Sequence, residues 1–106
     1  MQAALRMRQY QQQAIASASP EQLIAKLYDL AVGACHSGDR EKLRSVLKEL
    51  ISSLNFDQGG DIAQGLYNIY EYCLRESLRG DLEFISELMD ELRSVWKESV
   101  MGRKAA

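Results

Sequence analysis

Few residues of this chain carry the chemistry of an active site. His36 is the single histidine, and Cys35 and Cys73 are the two cysteines. A nucleophile and its base must converge, whereas adjacent helical residues such as Cys35 and His36 point about 100° apart. A phosphotransfer histidine would sit exposed at mid-helix with a basic residue shortly after it. His36 is instead followed by Ser37-Gly38-Asp39-Arg40, which ends a helix and puts the basic residue on the next one. In a last turn, His36 suits the negative end of the helix dipole. Two cysteines build no disulfide scaffold, and their separation matches no metal-ligand spacing, so reduced, half-buried thiols are expected. There is no Glu-x-x-His pair of the di-iron type, and Glu71 and Glu76 stand unsupported. Gly59-Gly60 lacks the strand and the lysine of a phosphate-binding loop. These residues predict no enzyme, no metal and no cofactor.

The residues left to do chemistry are aromatic, and their chemistry is binding. Tyr67, Tyr70 and Tyr72 fall within one short stretch, with Tyr28 earlier in the chain. A buried tyrosine ordinarily packs its ring and finds a partner for its hydroxyl at the rim. The stretch around them is apolar on two seams, however. Ile62, Leu66, Ile69 and Cys73 make one, and Ala63, Tyr67, Tyr70 and Leu74 make the other. That is wider than one bundle interface needs, and it predicts a second surface to be covered by a partner helix lying in a groove.

The elements that must hold those residues are punctuated by glycine. Gly38, Gly60 and Gly80 are each followed by aspartate, a stop followed by an N-cap. Ser19-Pro20-Glu21-Gln22 reads as a capping box with proline at the first helical position. Helices are expected over 20–36, 40–55, 62–79 and 82–99. Apolar residues recur at helical spacing in each: Leu23, Leu27, Ala31 and Ala34; then Leu43, Leu47, Leu50 and Leu54; and, in the last, Ile85, Leu88, Leu92 and Val95. No stretch alternates as a strand would. Short connections make sequential helices antiparallel neighbours, so the expected fold is all-α, an antiparallel up-down four-helix bundle. Residues 1–18, with a glutamine cluster and Met7, Tyr10 and Ile15, read as an N-terminal arm. Residues 19–101 read as the bundle and 102–106 as a basic tail.

Charge and composition agree with a binding role. With 13 basic and 15 acidic residues the net charge is -2, which gives no drive toward nucleic acid. The chain has no apolar run of transmembrane length and no secretory signal, so a cytoplasmic protein with no membrane insertion is expected. The termini hold Arg6, Arg8, Arg103 and Lys104 and no acid, which leaves the helices acidic. The fourth helix is the most acidic, with Asp81, Glu83, Glu87, Asp90, Glu91 and Glu98 against Arg93 and Lys97. It reads as a solvated face or as a docking face for a basic partner.

In order along the chain, several motifs together resemble the flagellin export chaperone family, FliS. Tyr10 is followed by Ala18-Ser19-Pro20-Glu21-Gln22-Leu23-Ile24, and then by Leu27-Tyr28-Asp29. Leu54-Asn55-Phe56-Asp57-Gln58-Gly59-Gly60-Asp61-Ile62-Ala63 leads into Leu66-Tyr67, Tyr70 and Tyr72, and Leu92-Arg93 and Trp96 close the series. The resemblance implies a cytoplasmic chaperone that binds the C-terminal helical segment of flagellin. Such a chaperone prevents premature polymerisation and delivers its client to the flagellar type III export gate. It also implies an arm that covers the binding surface until flagellin displaces it. Carried over by motif, Tyr10 belongs to the arm and to gate docking. Ile62, Ala63, Leu66, Tyr67 and Tyr70 form the groove, with Leu23, Leu27 and Tyr28 beside it. Against typical members the chain is shortened between Tyr28-Asp29 and Leu54-Asn55 and between Tyr72 and Leu92, which implies a shorter groove. The rival reading is a divergent paralogue, a helical interaction module that forms a homodimer through its third helix and serves a partner other than flagellin.

Overall fold

The computed structural model describes residues 19–101. The arm at 1–18, Tyr10 with it, and the tail at 102–106 lie outside the described residues. The chain forms four helices: α1 (Pro20–Ser37), α2 (Arg40–Ser52), α3 (Phe56–Glu76) and α4 (Leu82–Trp96). A π-helical turn, Lys97–Met101, prolongs α4. No strand occurs among the described residues, and the expected all-α four-helix bundle is the architecture.

The starts follow local chemistry. The capping box forms as read: the Gln22 amide donates to Ser19 Oγ at 3.2 Å, and the Ser19 amide donates to the Gln22 side-chain oxygen at 3.1 Å. Asp39 caps α2 and Asp81 caps α4, each accepting an amide of the first turn. Gly38 ends α1 in the left-handed region, where φ is 71°.

The third start falls at the expected glycine break, with one addition. The backbone leaves the helical region at Gly60, and an extra turn, Phe56–Gly59, precedes the break within α3. Asn55, not Asp61, opens α3 by accepting the Gln58 amide at 3.1 Å, and the helix then bends at Gly60, where φ is 51° and ψ is -123°. Only glycine takes that backbone geometry without strain. The α2 helix correspondingly stops at Ser52 rather than at 55. The Ser52 and Ser53 hydroxyls bond back to the Lys48 and Leu50 carbonyls, as such side chains do where a helix gives way. The α3 helix stops at Glu76 rather than at 79 because its last carbonyls find other donors. Arg44 donates to the Leu74 carbonyl at 3.0 Å, and Arg40 donates to the Ser77 carbonyl at 3.1 Å. Buried Ser77 donates its hydroxyl to Leu74 and accepts from Arg44.

One core joins Leu27, Tyr28, Ala31 and Ala34 of α1 with Leu43, Leu47 and Leu50 of α2, Tyr70 and Cys73 of α3, and Ile85 and Met89 of α4. The small Ala31 and Ala34 let α1 sit centrally. It packs broadly on α4 and on α2, and α2 packs on α3, whereas α3 meets α4 narrowly. The bundle is therefore tight on three seams and loose on the fourth. Both cysteines are reduced and buried, deeper than the half-buried state expected. His36 is exposed, and its ring shares a 3.0 Å hydrogen bond with the Ser86 hydroxyl.

Burial makes the core sensitive to base. It pushes the Cys73 thiol from an ordinary value near 9 up to about 11, with the Cys35 thiol adding to the shift. Burial also raises both Tyr28 and Tyr70 above the ordinary tyrosine value of 10. Groups whose folded pKa is raised stabilise the fold fully below their unfolded pKa, and that stability is lost as pH rises from there toward the folded value. The urea midpoint should therefore hold through neutral pH and fall progressively above about pH 9. A midpoint unchanged to about pH 11 would show that these groups ionise freely in the fold.

Candidate partner-binding site

The tyrosine stretch divides by depth. Tyr28 and Tyr70 are each 2% exposed, their hydroxyls are 2.5 Å apart, and their rings meet at a 50° tilt with centroids 6.5 Å apart. This pair crosses from α1 to α3 through the core, and each hydroxyl satisfies the other. Leu27 and Ala63 are buried as well. Four of the residues carried over by motif thus support the groove from beneath. The other described ones reach the surface: Leu23, Leu66 and Tyr67 are partly buried, and Ile62 is 75% exposed. Tyr67 stacks edge-on against the exposed Phe56 with centroids 6.0 Å apart, which fixes its ring at the start of α3.

The surface that emerges is the loose α3–α4 seam. At its closed end, beside the α3–α4 turn, Tyr72 and Phe84 meet edge-on with centroids 6.4 Å apart. From there the two helices run on with little between them. Helical spacing carries the α3 wall from Tyr72 through Ile69 and Leu66 to Ile62. It carries the α4 wall from Phe84 through Leu88 and Leu92 to Val95. Ile62, Tyr72, Phe84 and Val95 are large apolar side chains left exposed, and Leu66, Ile69, Leu88 and Leu92 are half-buried between them. Gly65 lies on this α3 face, and a Cβ there would meet nothing within 4 Å. The seam is an apolar trough, open toward the end where α1 and α3 begin and α4 finishes.

The opposite seam shows what closure looks like. Arg93 of α4 donates to Asp29 of α1 at 2.9 Å and also bonds Asp90. Trp96 donates its indole N–H to the Glu21 carbonyl at 2.9 Å. The Leu-Tyr-Asp and Leu-Arg-x-x-Trp motifs are thus two halves of one clamp between α1 and α4. The ion pair is half-exposed and contributes at most about 1 kcal/mol, so its role is mostly register.

The α4 wall was not singled out from sequence. By spacing alone Leu88, Leu92 and Val95 read as core, and Phe84 stands outside that seam. The signal was available: Phe84, Leu88 and Val95 form a line offset from Ile85 and Met89, so α4 is apolar on two adjacent seams, as α3 is.

Comparison with known proteins fits this construction. The family model described as "Flagellar protein FliS" matches residues 2–103. The chain belongs to the FliS family. It is 31% identical over 107 aligned positions to the flagellar secretion chaperone FliS of Salmonella typhimurium strain LT2, an alignment that covers 80% of this chain and 79% of that one. No solved structure matches the chain with statistical support. No cluster of metal-ligating side chains occurs among the described residues, and none of the described helices is long and apolar enough to cross a membrane. In this FliS-family chain the motif residues therefore do two jobs: Asp29, Arg93 and Trp96 clamp α1 to α4, while in α3 Ala63 and Tyr70 are buried and Ile62, Leu66 and Tyr72 line the unclamped seam.

The buried tyrosine pair makes a sharp prediction. Tyr70→Phe strands the Tyr28 hydroxyl in the core and should cost about 1–3 kcal/mol in urea unfolding. The double change Tyr28→Phe with Tyr70→Phe should recover most of that loss. Additive costs for the two single changes would show that the hydroxyls do not satisfy each other.

Proposed function

We propose that this FliS-family chain is a flagellar secretion chaperone that binds the C-terminal helical segment of flagellin along the α3–α4 trough. The observation that carries the proposal is the trough itself: two facing lines of exposed and half-buried apolar residues on a family member whose other seams are tightly packed. A monomeric soluble protein rarely leaves such a surface uncovered. Its shape suits an amphipathic helix whose residues at i, i+3, i+4 and i+7 enter between the two walls. Flagellin's filament-forming end would otherwise find its own kind, and occupation of its apolar face by the chaperone blocks that association. Delivery to the export gate and a cytoplasmic location follow from the same role.

In this reading Ile62 and Leu66 touch the client together with Tyr72, Phe84, Leu88 and Val95, whereas Tyr67, on the Ala63–Tyr70–Leu74 seam, braces α3 against Phe56. Leu27, Tyr28, Ala63 and Tyr70 hold the α3 wall in place, and Leu23 stands at the open end. The α1 helix begins at that same end. The family resemblance adds that the segment before it, with Tyr10, competes with the client for the binding surface. Release then needs no nucleotide, because the exchange is one apolar occupant for another.

The test is direct binding of the full chain to a labelled C-terminal segment of flagellin. Binding tighter than about 10 μM and co-elution as a one-to-one complex are expected, and no binding at about that concentration would overturn the proposal. Ile62→Asp should weaken binding at least about tenfold while leaving the unfolding midpoint in place, because Ile62 is 75% exposed.

A further inference from the structure

The trough is apolar at its floor and acidic at its rim. On α4, helical spacing sets Glu87 and Glu91 just outside the line Phe84–Leu88–Val95, and exposed Glu98 continues that edge in the π-helical turn. On α3, exposed Asp61 adjoins Ile62 at the open end, and the half-buried Glu76 stands on the same side of the helix near the turn. None of Asp61, Glu76, Glu87, Glu91 and Glu98 forms an ion pair with another described residue. The nearby cations are engaged elsewhere: Arg93 pairs with Asp29 and Asp90, Lys97 lies 4.0 Å from Asp29, and Arg75 pairs with Glu71. On the α3 edge Arg75 follows Tyr72 by one turn and is paired with Glu71, and by helical spacing no lysine or arginine adjoins the α4 line Phe84–Leu88–Val95. The acidity of the fourth helix is thus concentrated beside the apolar line rather than spent on the bundle.

We infer that the rim selects the occupant by charge: the trough takes an amphipathic helix that carries lysine or arginine on the flanks of its apolar stripe. The inference rests on the α3–α4 trough being the binding site and adds the chemistry of what enters it. Charge complementarity of this kind speeds encounter and rejects wrong partners more than it adds affinity, and it weakens with salt. It also decides against a second copy of this chain. A two-fold pairing through the trough would set Glu87, Glu91 and Asp61 of one copy against the same acids of the other, and like charges so placed are repulsive.

The experiment uses the full chain and two fluorescein-labelled helical peptides of about 18 residues, long enough to span the trough at 1.5 Å per residue. Both carry the same leucine and isoleucine stripe; one has lysine and arginine on its flanks and the other glutamate. Anisotropy titration at about 0.05 M salt should favour the basic peptide by about tenfold, and the preference should shrink to about threefold or less at about 0.5 M. The double change Glu87→Lys with Glu91→Lys, at two exposed positions, should reverse the preference with the helical circular dichroism unchanged. Equal affinities, a preference that ignores salt or survives the double change, binding of neither peptide, or a dimer that excludes both would each overturn the inference. The flagellin segment is titrated in parallel. If it binds the native chain and the double variant equally, the rim has no selective role although the chaperone reading stands. If it binds neither, the chaperone reading itself fails.

Discussion

Arg93 reaches across one seam of the bundle to Asp29, and three residues later Trp96 donates to the first turn of α1. This clamp fixes α4 to α1, and most of the remaining architecture follows from it. The α1 helix, with Ala31 and Ala34 facing inward, is committed to α4 on one side and α2 on the other. The α3 helix is then held from α2, whose Arg40 and Arg44 tie down its last carbonyls, and from α1 through the Tyr28–Tyr70 hydroxyl pair. Nothing comparable draws α3 to α4 beyond the Tyr72–Phe84 contact at the turn. The open seam is what remains when four helices are fastened along three seams.

That arrangement separates stability from binding. The core residues, the clamp and the arginine caps lie on α1, on α2 and on the inner face of α3. The exposed apolar residues lie mainly on the α3–α4 side, where little of the fold depends on them. The proposed task, holding an aggregation-prone helix, needs apolar surface that does not collapse on itself. Here the walls are kept apart by being fastened from behind.

Much of this was legible in the sequence, for physical reasons. Ser19-Pro20-Glu21-Gln22 and the Gly-Asp pairs at 38–39 and 80–81 are local signals, and local signals survive folding. The double apolar seam of α3 announced a surface in need of a partner. Three things were hidden. The glycine stop at Gly60 is legible, but the extra turn Phe56–Gly59, capped by Asn55 ahead of it, is not. The end of α3 at Glu76 is set by arginines more than thirty positions away in sequence. The depth of Tyr28 and Tyr70 is a tertiary fact: a tyrosine on an apolar seam can line a groove or underpin it, and only the packing decides. The α4 wall was missed because its two apolar lines were read as one.

The central claim is that the α3–α4 trough holds the client. Hydrogen exchange of the full chain, followed with and without the C-terminal segment of flagellin, tests it most directly. The account predicts added protection concentrated in α3 from Ile62 to Tyr72 and in α4 from Phe84 to Val95, with α2 unchanged. Protection appearing on α2 while α3 and α4 stay as they were would contradict it.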